Sequence, residues 1–129
     1  MSNKALQGYQ NIYAQTSIES ARPENLIALV FEKLLDHLLT AEKQMQAGGL
    51  AIESLDKALD IFKIGLMPAL DFEKGGEIAA NLGRLYDWSI RTILKARIAK
   101  DPAMIREVYE VLLPVNDAWH TLLADHVPA

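Results

Sequence analysis

The side chains with the most chemical reach in this 129-residue chain are three histidines, His37, His120 and His126, and the acids near them. Asp117-Ala-Trp-His120 spaces a carboxylate and an imidazole as helices do when they supply metal ligands. A dinuclear carboxylate centre in a helical bundle needs inward Glu on two helices and Glu-x-x-His on two more. Here the acidic-x-x-His pair has no second copy, and Asp117 lies off the apolar seam of its own segment. The sequence contains no cysteine, which removes thiolate ligands, thiol nucleophiles, disulfides and covalent haem attachment. It has no Gly-x-Ser-x-Gly elbow, and no histidine sits in a Ser or Asp constellation. Gly83 stands alone in a helical run, so no phosphate-cradling loop is assigned. No residue is therefore assigned a catalytic, metal or cofactor role, and the chain is expected not to be an enzyme. His120 and His126 read as exposed residues near a helix C-terminus, where an imidazolium suits the dipole. His37 reads as a packing residue beside a seam.

The elements that hold these residues follow from glycine, proline and periodicity. The first segment runs from about Pro23, a residue suited to a first helical turn, to Ala47. Its Ile27, Phe31, Leu34, Leu38, Ala41 and Met45 recur at spacings of three and four, which is one helical face. Gly48-Gly49 ends it. The second, about Leu50–Asp71, carries Ile52, Leu55, Leu59, Phe62 and Leu66, and Gly75-Gly76 follows. The third runs from about Gly76 to Ala99, with Ile78, Leu82 and Tyr86 expected to face inward. Asp101 is expected to cap the fourth and Pro102 to open it, with a seam through Ile105, Val108, Leu112, Val115, Trp119 and Leu122. Four helices joined by short turns pack as antiparallel neighbours. The expected fold is an all-α, up-and-down four-helix bundle over residues 23–126, preceded by a mobile arm or short helix over 1–22. Pro68 and Pro114 fall inside helical patterns and are expected to kink them. One consequence of such a bend is a groove opened between helices.

Half the residues are hydrophobic, yet no apolar run approaches the ~20 residues of a membrane span. The N-terminus lacks a basic stretch followed by an apolar core, and a cytoplasmic location is expected. Net charge −4 disfavours nucleic acid, which is bound through clustered Lys and Arg. A bundle helix needs one apolar stripe, and these carry more. Leu29, Leu35 and Leu39 fall away from the first seam, and Ile61 and Ile64 away from the second. They are expected to form an apolar groove for an amphipathic partner segment. Trp88 shares a face with Asn81, Arg84, Arg91 and Lys95, either lying over arginine stems or serving as a binding anchor. In the arm, Ile12, Tyr13 and Ile18 need a resting place on the bundle surface.

The stretch Gly75–Trp88, GGEIAANLGRLYDW, resembles the flagellar secretion chaperone family FliS in its Gly-Gly, Ile-Ala, Asn-Leu and Leu-Tyr-Asp-aromatic offsets. Tyr13-Ala-Gln with Ile18, Ala21-Arg-Pro23 and Leu26 is similar to that family's lead-in to its first long helix. Ile105, Glu107-Val108 and Ala118-Trp119 are similar to its last. Val30-Phe31-Glu32-Lys33 departs from the family's Leu-Tyr-Asp-Gly, and Trp88 stands where another aromatic is usual. The resemblance implies a cytoplasmic export chaperone without catalytic activity or cofactor. It would bind the disordered C-terminal segment of flagellin, block premature polymerisation and deliver the subunit to the flagellar type III export gate. The partner-binding residues expected on both grounds are Ile12, Tyr13, Ile18, Leu26, Leu29, Leu35, Leu39, Ile61, Ile64, Asn81, Arg84 and Trp88. Two alternatives stand beside it. His120-Thr-Leu-Leu-Ala124 faintly resembles the His-x-x-Lys-Gly site of histidine phosphotransfer bundles, with Leu123 and Ala124 in place of the countercharge and the small residue. A structural bundle could also use the same groove for self-association.

Overall fold

The computed structural model describes residues 23–126, with side chains described over 26–121. The arm, with Ile12, Tyr13 and Ile18, lies outside the described residues, as do the side chains of Leu122 and His126. Helix α1 spans Pro23–Gln46. Gly48 ends it with φ 91°, its N–H bonded to the Met45 carbonyl while Gly49 N–H reaches back to Gln44 at 2.8 Å. These two bonds satisfy carbonyls that the helix end leaves open, and only a residue without Cβ takes that φ at no steric cost.

Helix α2 is regular over Ile52–Asp60, then widens into a π-helical stretch, Ile61–Leu66, and tightens into a 3-10 turn, Met67–Ala69. Pro68 explains this change. A proline ring clashes with the carbonyl four residues back and offers no N–H to it. In the widened turn Met67 N–H bonds instead to Phe62, five residues back, and Pro68 enters the first positions of the 3-10 turn. The expected kink is thus a change of helical pitch.

Helix α3 spans Phe72–Ala99, four residues earlier than the glycine pair suggested. Asp71 caps it by accepting from the Glu73 and Lys74 N–H groups, at 3.1 and 3.0 Å. Its first turn is separate from the rest, because Gly76 breaks the helix at φ 51°, ψ −124°. Lys100 closes α3 in the left-handed region, Asp101 accepts from Ala103 N–H at 3.0 Å, and Pro102 opens α4, Pro102–His126. That corner is the one the sequence indicated.

Cross-helix pairs set the directions. Glu32 meets His120 and Glu42 meets Arg106, so α1 and α4 run antiparallel. Asp56 meets Arg97 and Phe62 meets Tyr86, so α2 and α3 do as well. The described residues form an all-helical bundle, with Phe31, Leu34, Leu38, Leu55, Phe62, Tyr86, Ile93, Ile105 and Leu112 fully buried at its centre. The Tyr86 ring tilts against Phe31 and Phe62, with centroids 6.4 and 5.8 Å away. Contacts of this geometry add about 0.5–1.5 kcal/mol each to area burial.

Candidate functional site

Burial along the seams is uneven. On α4, Ile105, Val108 and Leu112 are buried, but Val115 and Trp119 are only half-buried. On α3, Ala96, Ile93 and Tyr86 are buried, Leu82 half-buried, and Ile78 is 72% exposed. Because α3 and α4 are antiparallel, these losses coincide at one end of the bundle. There the two helices leave a groove of about 350 Å³ lined by Ile78, Leu82, Pro114, Val115, Ala118 and Trp119, with no charged side chain among them. A smaller cavity of about 180 Å³ adjoins it and shares Ile78, Leu82 and Trp119. Its other walls are Ile27 of α1, Leu66, Ala69 and Leu70 at the end of α2, Asp71, Gly75 and Ala79 at the start of α3, and Tyr86. Ile78 was expected inward. It is instead the rim of an open trough, while its neighbour Ala79 takes the buried position on this part of α3.

The expected contact residues divide into three groups. Leu26, Leu35 and Ile61 are buried members of the core, not surface positions. For Leu35 and Ile61 the reason is that a helix touching two neighbours needs an apolar stripe wider than one seam. Leu29, Leu39 and Ile64 are half-buried. Asn81 and Arg84 are exposed and hydrogen-bonded to each other, and Arg91 pairs with Asp87 at 3.0 Å. Trp88 is half-buried and packs on the core. Sequence reasoning missed Ile78, Leu82, Val115 and Trp119 as groove residues by placing them on seams. Pro114, which the sequence places inside the fourth helical segment with a groove between helices as one consequence, lines this groove.

His120 occupies a different role from phosphoacceptor. Nδ1 lies 2.8 Å from the Asn116 carbonyl oxygen and Nε2 lies 2.8 Å from Glu32 Oε1. With an acceptor at each ring nitrogen, the imidazolium donates both bonds, and its pKa is raised, first by Asn116 and then by Glu32. An anion already holds Nε2, and a phosphoryl group there would be repelled. His37 is the opposite case. It is half-buried, and burial, followed by the charges of Lys57 and Lys33, lowers its pKa. Among the described residues no group of three or more His, Cys, Asp or Glu is placed to hold a metal ion, and no helix is long and apolar enough to cross a membrane.

A helical bundle with an apolar trough between two of its helices has the form of a protein that binds a partner helix in a groove. The family model described as Flagellar protein FliS matches residues 5–126, and the chain belongs to the FliS family. It is similar to the flagellar secretion chaperone FliS of Salmonella typhimurium, 36% identical over 88% of this chain and 86% of that one. It is also similar to the flagellar secretion chaperone FliS of Vibrio cholerae, 32% identical over 89% and 85%, and to the flagellar secretion chaperone FliSB of Pseudomonas aeruginosa, 34% identical over 90% and 93%.

Proposed function

We propose that this chain is a flagellar secretion chaperone that binds the C-terminal segment of flagellin in the cytoplasm. Binding there keeps the subunit from polymerising and delivers it to the flagellar type III export apparatus, including contact with the export gate. The observation that carries this reading is the uncharged trough between α3 and α4, with a large aliphatic, Ile78, standing 72% exposed at its rim. An isolated exposed isoleucine means little, but one on an apolar concave surface fits the apolar face of an amphipathic helix. A client that is disordered when free must bury extended area to offset its ordering entropy. Secondary contacts along half-buried Leu29, Leu39 and Ile64, and at exposed Asn81 and Arg84 beside Trp88, would supply that area. Ile12, Tyr13 and Ile18 are proposed as further client contacts.

Gel filtration of the chain with purified flagellin tests the proposal. A 1:1 complex that disappears when the flagellin C-terminal tail is deleted is the expected result. No complex, or one indifferent to the tail, refutes it. A mass that rises with concentration in the absence of flagellin would favour self-association instead.

A further inference from the structure

We propose that residues 71–76 form a hinged flap over the inner cavity of the trough, and that a bulky apolar side chain of the client enters there when the flap lifts. This rests on the client reading above. A single helical turn, Phe72 to Gly75, stands between two breaks in the backbone. On one side Leu70 has ψ 129° and Asp71 has φ −112°, ψ 99°, both extended. On the other, Gly76 has φ 51°, ψ −124°, a conformation closed to residues bearing Cβ. Backbone breaks at element ends are where hinge rotation is absorbed.

The closed position is held lightly. A Cβ built on Gly83 would lie 3.5 Å from Leu70 Cδ1 and 3.6 Å from the Phe72 ring, so both side chains rest over this bare point on α3. All residues from Asp71 to Ile78 are exposed, Phe72 at 59%. A turn with so little burial opens at a free energy far below that of global unfolding. Leu70, Asp71 and Gly75 nonetheless line the cavity, together with Leu66. With the flap down, the trough stops at Ile78, Leu82 and Trp119. With it raised, the apolar surface continues to the end of α2.

The absence of cysteine gives a direct test. A Phe72→Cys, Gly83→Cys double variant carries two thiols, and a short bifunctional thiol reagent ties the flap to α3. Affinity for a flagellin C-terminal peptide is measured by calorimetry on the same variant before and after linking. Linking is expected to weaken binding by roughly tenfold or more. Equal affinity in the two states overturns the flap while leaving the chaperone reading intact. Hydrogen exchange of the wild-type chain alone supplies a readout that needs no client. Amides of residues 73–76 are expected to exchange at least about tenfold faster than those around Ile93. Exchange of both groups at one common rate overturns the flap. Failure of wild-type chain to bind flagellin, with fast exchange at 73–76, instead counts against the client reading alone.

Discussion

Replacing Ile78 by alanine should separate binding from stability. Fully burying an isoleucine side chain is worth about 1.5–3 kcal/mol. Ile78 is 72% exposed in the free chain, so covering the remainder with client contributes about 1–2 kcal/mol. Its loss should weaken a flagellin C-terminal peptide roughly 5- to 30-fold. The folded state loses only the small buried part of the side chain, about 0.5 kcal/mol. Alanine returns a comparable amount through its better helix propensity. Urea denaturation should therefore place the variant within about 0.5 kcal/mol of the parent. Calorimetry with the peptide, beside the urea curve, reads both quantities. Unchanged affinity in a folded variant would remove Ile78 from the binding surface. A large loss of stability would show that Ile78 is a core residue, and the groove argument would fail.

Other expectations are independent of this one. Ile93 is fully buried, so Ile93→Ala should cost about 2–5 kcal/mol in the same urea experiment. Gly76→Ala should destabilise by about 1–3 kcal/mol, because φ 51°, ψ −124° is strained for any residue with Cβ, whereas open space around the position offers no gain. Asp71 has a pKa lowered first by the Lys74 N–H, so its capping contribution exists above the ordinary carboxylate value and is lost as pH falls through the lowered one. Hydrogen exchange at residues 73–75, corrected for its intrinsic pH dependence, should accelerate on acidification, and in Asp71→Ala it should already be fast at neutral pH. The two described histidines should oppose each other. His120, with a raised pKa, stabilises below the ordinary value of ~6.5 and loses that contribution as pH rises through its folded-state value. His37, with a lowered pKa, costs stability as pH falls from ~6.5 through its own. His120→Gln and His37→Gln should flatten opposite sides of a stability-against-pH curve, the exposed His120 by well under 1 kcal/mol.

Much of the bundle was legible because local signals agreed with one another. Gly48 needed a positive φ, Asp101-Pro102 offered a cap and a first turn, and the α1 seam from Phe31 to Met45 kept its period and is buried throughout. Asp71 was hidden because the glycine pair four residues later is the louder stop signal, and here it breaks a helix already begun. Leu35 and Ile61 look surplus on a helical wheel, which shows one face of one helix and not how many neighbours surround it. Glu32 as the partner of His120 was not legible, because 88 residues separate them.

By itself the sequence determined four helical segments, the stops after the first and third, most of their inward faces and membership of the FliS family, because these depend on residue types within a few turns of one another. Only the tertiary structure decided where the bundle stays open. Ile78, Val115 and Trp119 have the spacing of core residues, and a seam residue is buried only if a neighbouring helix reaches it. The described helices leave a groove along these three, and the same periodicity that builds the core elsewhere becomes an apolar trough.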